Sequence, residues 1–337
     1  MSGAAFASLV KLPIFASGNR DFRNPDLRIG VVSDVHIRTA GDERILLDVL
    51  RWYRNNRVDA VVVAGDVADY GLTWQMDAFM CAWHDTFPGG MIGGKKPVEL
   101  IYVTGNHEFD IWQRIRGTIY KDDAKLEPDV FVKNIEREWR RIFGYDYAPV
   151  FVRDVKGYKF FCSNFLGWNG AENLSSVRSF FEREKSAIPS GRPFFYVQHV
   201  HPKGTCGYKP GKVDDFTKCL SQYPNLVALT GHSHAALDDE RSFWRGEFTS
   251  VNAGTLQLVY HSPEKVAAGA PKKELWPQGL LMRVWPDFVH FERRDFKNRC
   301  RFDPVWHGQC RRALCGTGIL ACAPRQGRLL DFCRSAW

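Results

Sequence analysis

The sequence lacks any long apolar run, and no stretch reaches the roughly 18 residues that a membrane-spanning helix needs. It also lacks the composition of a disordered chain, since 45% of its residues are hydrophobic and 25% are charged. No internal repeat is visible in its 337 residues. These absences leave a folded globular protein built as one large domain or two ordinary ones.

The sequence also lacks closely spaced pairs of cysteines. None of the nine cysteines forms a C-x-x-C motif, which argues against a zinc ribbon. A disulfide framework is typical of small secreted domains rather than of a chain of this length, so a reducing compartment is expected. Residues 1–18 are mildly apolar, but they lack a basic start and Lys11 interrupts them. A cytoplasmic location is therefore the expectation, with a poorly formed signal segment as the alternative.

The positive charge is not concentrated in one stripe of the main body. The net charge is +8, and the last 38 residues hold half of it, with six arginines against two aspartates. The remaining excess is spread over residues 1–299 without a strong cluster. A nucleic-acid groove usually shows a basic stripe on one face. Nucleic acid is thus a possible partner that the sequence does not favour.

Composition divides the chain into three parts. Residues 1–26 are predicted to be a flexible lead-in, residues 27–304 a single domain, and residues 305–337 a tail rich in Cys and Arg. The tail lacks helical or strand periodicity and metal-ligand spacing. An extension outside the fold is therefore favoured over a zinc-binding or redox appendage.

Short apolar runs alternate with amphipathic stretches along the domain. Runs at 27–33, 58–64 and 98–104 are predicted strands, and the stretches at 44–55 and 73–87 between them are predicted helices. This alternation is typical of βαβ units with parallel strands. Further segments extend the pattern: predicted helices at 130–143 and 173–187, predicted strands at 159–164, 194–198 and 226–230, a more antiparallel set of strands at 246–251, 280–284 and 288–293, and a loop at 262–273. The fold class is therefore α/β with two sheets in its core.

Metal-ligand side chains follow the predicted strands at the point where each strand ends. The motifs are S-D-V-H (Asp34, His36), A-G-D (Asp66), G-N-H-E (Asn106, His107, Glu108), Q-H-V-H (His199, His201) and G-H-S-H (His232, His234). Ligands collect at the carboxyl ends of strands in open α/β sheets. Each motif alone is weak evidence for a metal site, but five motifs that each follow a predicted strand indicate a common site.

The spacing and the residue types both fit a metal site. Residues two apart in extended backbone point the same way, so the pairs 34/36 and 232/234 can each reach one site. Glycines precede Asp66, Asn106 and His232, and they allow tight turns and close backbone approach. Oxygen and imidazole donors without thiolate favour Mn, Fe, Zn or Co over magnesium.

The ordered set D-V-H, G-D, G-N-H-E, H and G-H-S-H resembles that of the calcineurin-like metallophosphoesterases. The resemblance covers residues 27 to about 260, and V-N-A-G-T (251–255) resembles the turn that closes the family's core. It implies a two-sheet αββα sandwich, with mixed sheets and flanking helices, and a dinuclear metal centre at the strand ends. Residue by residue, it implies the following ligands for two divalent ions: Asp34, His36, Asp66 and His234 for one, and Asp66, Asn106, His199 and His232 for the other.

The resemblance also implies an activity. His107 matches a histidine that contacts the phosphate and helps the leaving group depart, whereas His201 is an alternative to His199 or a supporting residue. Asp69 and Glu108 are expected either to orient ligands or to be solvated loop residues.

The implied function is hydrolysis of a small phosphomonoester or phosphodiester. The alternatives are a nuclease acting on DNA ends and a non-catalytic interaction scaffold, and no protein partner is indicated. Three aromatic residues are candidates for lining the substrate pocket or for packing the loops: Phe109, Trp112 and Trp168.

Overall fold

The computed structural model describes residues 24–109, 129–165, 167, 170–209, 211–302 and 306–309. Contacts divide the chain into two units, and every described residue except Asn24 belongs to the unit Pro25–Ala313. The described helices are α1 (Glu43–Asn55), α2 (Thr73–Thr86), α3 (Asn106–Phe109), α4 (Ile135–Phe143), α5 (Gly170–Arg183), α6 (Asp215–Leu220) and α7 (Pro263–Ala267). Short 3₁₀ turns lie at Pro88–Gly90, Phe131–Asn134, Lys185–Ala187 and Glu240–Ser242.

The described strands fall into two large sheets and two small hairpins. In chain order they are β1 (Leu27–Val32), β2 (Ala60–Ala64), β3 (Met91–Ile92), β4 (Lys96–Pro97), β5 (Glu99–Val103), β6 (Val150–Val155), β7 (Tyr158–Ser163), β8 (Phe194–Val197), β9 (Leu226–Thr230), β10 (Phe243–Arg245), β11 (Thr249–Asn252), β12 (Leu258–Tyr260), β13 (Lys273–Leu275), β14 (Gln278–Trp285), β15 (Phe288–Asp295), β16 (Cys300–Arg301) and β17 (Trp306–Gln309).

The first sheet has the order β16-β15-β14-β1-β2-β5, and β17 also pairs with β15. Strands β1, β2 and β5 are parallel, whereas β14 runs antiparallel to β1. The second sheet has the order β10-β11-β9-β8-β7-β6, and it is parallel from β11 to β7 with an antiparallel strand at each edge. Parallel strands bring their carboxyl ends to one edge of each sheet.

A continuous apolar layer fills the space between the two sheets. Val62 and Met282 of the first sheet and Phe195 and Leu229 of the second belong to this buried cluster. On the other face of the first sheet, α1, α2 and α4 cover a second cluster, and α5 and α6 cover the outer face of the second sheet. Helices therefore flank two stacked sheets, which confirms the αββα sandwich.

The structure also corrects several predictions. The predicted loop 262–273 contains α7, which begins where Oγ of Ser262 accepts a hydrogen bond from the amide of Lys265 and a proline follows at the first helical position. The predicted strand 246–251 is observed as β11, which pairs in parallel with β9 on one side and antiparallel with β10 on the other. Edge strands such as β6 were not predicted, because their mixed polar pattern gives little periodic signal.

Several predictions fall at or beyond the limits of the described chain. Strand β17 lies past the domain boundary predicted at residue 304. The rest of the predicted tail, residues 310–337, lies outside the described residues, as do residues 1–23 of the predicted lead-in. Within the described ranges, no helix is both long enough and apolar enough to cross a membrane.

Candidate metal centre

All seven predicted ligands lie just beyond the carboxyl ends of five parallel strands. Asp34 and His36 follow β1, Asp66 follows β2, Asn106 begins α3 after β5, His199 follows β8, and His232 and His234 follow β9. The first three strands belong to one sheet and the last two to the other. Because the sheets are stacked, their strand ends meet, and side chains nearly 200 positions apart come into contact.

Asp34, His36 and His234 form one group that is close enough to hold a metal ion. Oδ1 of Asp34 lies 3.1 Å from Nε2 of His234 and 3.7 Å from Nε2 of His36. The two imidazole Nε2 atoms are 3.1 Å apart. Three potential ligand atoms therefore face one another across the space that a single cation would occupy.

Asp66, His199 and His232 form a second such group. Oδ2 of Asp66 lies 3.0 Å from Nε2 of His199, and the rings of His199 and His232 have centroids 5.1 Å apart. The same Oδ2 atom is 3.9 Å from Nε2 of His36, which belongs to the first group. Asp66 thus lies between the two groups, where a carboxylate shared by two ions would have to be.

The hydrogen bonds of the histidines leave a particular nitrogen available. His199 and His234 each donate from Nδ1 to a backbone carbonyl, of Ala64 and Leu258 respectively, at 2.7 Å. His36 donates from Nδ1 to the carboxylate of Asp69 at 2.9 Å. In a neutral ring this leaves Nε2 with a free lone pair, and such a second partner is what usually orients a metal-bound histidine.

Several buried atoms at the site lack a suitable partner. Among the described residues, Oδ1 of Asp34, Oδ1 of Asn106 and Nε2 of His199 are buried without a hydrogen bond. Leaving such atoms unsatisfied costs about 1–3 kcal/mol each. They are the atoms that the sequence resemblance assigns to metals, so the residues present fit a pair of divalent cations with mixed oxygen and nitrogen ligands.

The carboxylates create a strongly negative environment. Burial alone would lower the pKa of His199, but the nearby Asp66 carboxylate raises that pKa to about 9. In the same way, burial opposes but does not cancel the effect of the nearby Asp34 and Asp69 carboxylates, which raise the pKa of His36 to about 10. The electrostatic field that favours a proton on these rings equally favours a bound cation.

The backbone at the site is strained. Five of the seven predicted ligands have a positive φ, between 47° and 67°, although none is glycine: Asp34, His36, Asp66, His232 and His234. Left-handed backbone at a non-glycine residue costs roughly 1–3 kcal/mol and is concentrated at functional sites. The surrounding fold therefore holds these side chains in a geometry that their own backbone disfavours.

Two of the predicted glycines are needed because other groups approach them closely. A Cβ atom on Gly65 would lie 2.5 Å from Nδ1 of His199, and Gly65 itself has φ +88°. A Cβ atom on Gly105 would collide with the carboxylate and the backbone amide of Asp66. The sequence predicted that these glycines let the backbone approach a metal, whereas the groups that lie close to them in the structure belong to the proposed ligands His199 and Asp66.

Glu108 and Asp69 are both buried, which decides against the reading of solvated loop residues. Glu108 accepts hydrogen bonds from the amides of Asp66, Val67, Ala68 and Gly105, and so fixes the turn after β2 against the turn after β5. Burial and the charge of Asp66 raise the pKa of Glu108 to about 7. Glu108 thus orients the backbone on both sides of the site.

Asp69 contacts two basic side chains. Its Oδ1 accepts from His36 at 2.9 Å, and its Oδ2 accepts from Nε of Arg38 at 2.7 Å. Although burial opposes them, these hydrogen bonds lower the pKa of Asp69 to about 2. Its carboxylate is therefore ionised at neutral pH and orients the ring of His36.

His107 lies beside the cluster, and with His36 and Asp69 it forms a third group close enough to hold a metal ion. It donates from Nδ1 to the carbonyl of Asp69 at 2.9 Å, and its Nε2 lies 3.9 Å from Oδ2 of Asp66. Burial lowers the pKa of His107. His107 is about one-quarter exposed, and it lines a cavity beside the cluster.

His201, the alternative to His199, is absent from the groups that could hold a metal. Its Nδ1 is buried without a hydrogen bond, and burial lowers the pKa of the ring. It lines a cavity of about 270 Å³ next to His199. The geometry therefore favours His199 as the ligand and leaves His201 beside the centre.

Sequence reasoning missed two residues at the site. Arg38 reaches the cluster through Asp69, and the ring of Tyr260 stacks on that of His234 at 5.2 Å with an interplanar angle of 27°. Neither residue is part of a predicted motif, although Arg38 stands only two positions after His36. Of the aromatic candidates, Phe109 lies 6.0 Å from Phe165 between ring centroids, and Trp112 and Trp168 lie outside the described residues.

Together, two stacked sheets and a cluster of His, Asp and Asn at their strand ends define an α/β protein with a candidate two-metal centre. The sequence profile described as "Calcineurin-like phosphoesterase" matches residues 27–236, more than half of the chain. The chain therefore belongs to this family.

Solved structures share the fold at low sequence identity. One, described as GAP50, the anchor in the inner membrane complex of Plasmodium, has a TM-score of 0.51 at 13% identity, over 85% of this chain and 89% of that one. A dimetal phosphatase from Danio rerio has a TM-score of 0.49 at 10% identity, over 86% of this chain and 100% of that one. No curated protein sequence matches the chain.

Proposed function

We propose that the protein is a metal-dependent phosphoric ester hydrolase that uses two divalent ions, drawn from Mn, Fe, Zn or Co, to cleave a small phosphomonoester or phosphodiester. The observation that carries this proposal is that six predicted ligands from four strand ends form two groups that could each hold a metal ion. The buried atoms among them that lack hydrogen bonds support it further. When bound, two cations neutralise phosphoryl oxygens and lower the pKa of water, which supplies a nucleophile near neutral pH.

The chain's own residues account for the rest of the reaction. A water oxygen forms a bond to phosphorus while the bond from phosphorus to the ester oxygen breaks, and the departing oxygen must take up a proton. His107 is suited to donate it, because its Nδ1 is held by a carbonyl and the residue lines the cavity beside the cluster. Burial lowers the pKa of the free ring, whereas an anionic phosphate beside it favours the protonated form that donates.

Metal content and turnover test this proposal together. The full chain, loaded with Mn²⁺, should hold two ions and hydrolyse an aryl phosphate monoester or diester. H107Q should keep both ions but lose roughly 100-fold in kcat, since general acids typically contribute 10²–10⁴. H84Q is the matched control, because His84 is exposed on α2 away from the ligands.

The same measurements separate the alternatives. A protein that binds no metal and hydrolyses no ester would contradict the proposal and favour an interaction scaffold. Hydrolysis confined to DNA, with an affinity that falls steeply as salt rises, would instead indicate a nuclease.

A further inference from the structure

A cavity of about 280 Å³ opens beside the metal-ligand cluster on the side of His36, His107 and His234. Its wall also includes Arg38 and Tyr260, which belong to no predicted motif. Since His107 lines this cavity, a substrate whose leaving group meets His107 places its organic part here. Residues that line this cavity are therefore positioned to select the substrate.

Arg38 is held in this cavity by one side of its guanidinium group. Its Nε donates to Oδ2 of Asp69, while 58% of the side chain is exposed. Among the residues that the structure describes, none accepts a hydrogen bond from its two terminal nitrogens. The other carboxylate of the wall, Asp42, is engaged in the loop, where its Oδ2 accepts from the amides of Arg38 and Thr39. Arg38 thus presents a fixed planar fork of donors, the geometry that binds phosphate or carboxylate.

The position of Arg38 places this fork outside the space where the ester is cleaved. The Asp69 carboxylate lies between Arg38 and His36, and it contacts Nδ1 of that ring. The opposite nitrogen, Nε2 of His36, faces Asp34 and His234. A carboxylate and an imidazole ring therefore separate the guanidinium group from the proposed cations, and an anion on Arg38 lies farther out than the scissile phosphoryl group.

We propose that Arg38 binds a second anionic group of the substrate, a phosphate or a carboxylate, and so selects phosphoric esters that carry two anionic groups. Tyr260 supports this, because its exposed ring on the same wall covers the organic spacer between the two groups. This inference rests on the proposed function, because it concerns the substrate of that hydrolase. Equilibrium binding tests it without a measurement of turnover.

Equilibrium binding to the Mn²⁺-loaded full chain supplies that test. The probes are methylphosphonate, with one anionic group, and phosphonoacetate and methylenediphosphonate, which add a carboxylate or a second phosphonate. The wild type should bind the last two at least tenfold more tightly. R38A should weaken their binding about tenfold more than it weakens methylphosphonate binding, since a charge-assisted fork is lost only for the second group. The probe that loses more affinity in R38A identifies the second group as carboxylate or phosphate.

The matched control is R140A, because Arg140 is also exposed and paired with a carboxylate, but it lies on α4. It should bind all three probes like the wild type. Metal analysis after each titration excludes loss of ions to the chelating probe. Three results would each overturn the proposal: equal weakening of methylphosphonate and phosphonoacetate in R38A, no effect of R38A, or no preference of the wild type for the larger probes.

Kinetics extend the test if the wild type turns over. R38A should raise KM for 4-carboxyphenyl phosphate about tenfold more than it raises KM for phenyl phosphate. An unchanged KM ratio would contradict the proposal. Failure of the wild type to hydrolyse either ester would contradict the proposed function alone, because the titrations still report on Arg38.

Discussion

The backbone amide of His232 donates a hydrogen bond to Oδ2 of Asp34 at 2.9 Å, although 198 positions separate the two residues. Oδ1 of the same carboxylate lies 3.1 Å from Nε2 of His234. One oxygen therefore fixes the turn after β9 to the turn after β1, and the other faces the ligand cluster. Asp34 joins the two sheets at the point where a cation would bind.

Replacing this carboxylate should weaken both metal binding and the fold. D34N should lower Mn²⁺ affinity by at least roughly 100-fold, because a charged ligand becomes a neutral one. The metal-free variant should also be less stable than the metal-free wild type: although burial opposes them, His234 and His36 hold the pKa of Asp34 well below its ordinary value, so the ionised carboxylate stabilises the fold. Metal titration and thermal unfolding measure the two effects. D48N is the control, as Asp48 is 80% exposed, and retention of two tightly bound ions by D34N would contradict the assignment.

Gly65 offers a test of close packing at the site. G65A should destabilise the protein by about 3 kcal/mol or more and abolish activity, because the new methyl group meets the ring of His199 at a positive φ. G157A is matched in backbone conformation, with φ +80°, but its Cβ meets nothing within 4 Å. It should cost only about 1 kcal/mol. Equal losses in the two variants, measured by urea unfolding, would show that the contact with His199 does not matter.

The four hydrogen bonds to Glu108 predict a large effect from a small change. E108Q should lower the free energy of unfolding by about 2–4 kcal/mol, since the amide NH₂ faces backbone donors that it cannot accept from. Activity should fall with it, because these donors belong to the turns that carry Asp66 and Asn106. E136Q, at an exposed position on α4, should unfold like the wild type. Urea unfolding of the metal-free proteins gives the comparison, and a neutral E108Q would refute the orienting role.

A second carboxylate, far from the metal ligands, predicts how stability depends on pH. Burial raises the pKa of Asp59, but the amide of Arg28 and the ammonium groups of Lys96 and Lys156 outweigh burial and leave that pKa below its ordinary value. A lowered pKa in the folded state adds stability above the unfolded value near 4, and this contribution is lost as the pH falls through the folded pKa.

The variant D59N isolates that contribution. At pH 7 it should be less stable than the wild type by about 2 kcal/mol. The difference should shrink steadily below about pH 4, where Asp59 of the wild type becomes protonated. Urea unfolding of the metal-free proteins from pH 3 to pH 7 measures it. A difference that stays constant over this range would show that the Asp59 charge does not stabilise the fold.

The sequence predicted most of the central fold and the members of the candidate site. Strands β1, β2, β5, β8 and β9 were predicted within one or two residues, because buried parallel strands are short, continuous apolar runs. The predicted ligands follow those strands directly, so predicting the strands also predicted that the ligands lie at one edge of the sheets. Helix α7 and edge strands such as β6 were missed, because a cap or a neighbouring strand decides them rather than an apolar period.

The sequence by itself determined which residues can hold cations and that they end parallel strands, because ligand chemistry and strand periodicity are local properties. Only the tertiary structure decided that His199 rather than His201 joins Asp66, that Glu108 binds four amides, and that Arg38 reaches the cluster through Asp69. These relationships depend on two sheets stacking face to face. That stacking brings distant segments within hydrogen-bond distance, where burial strengthens their charges.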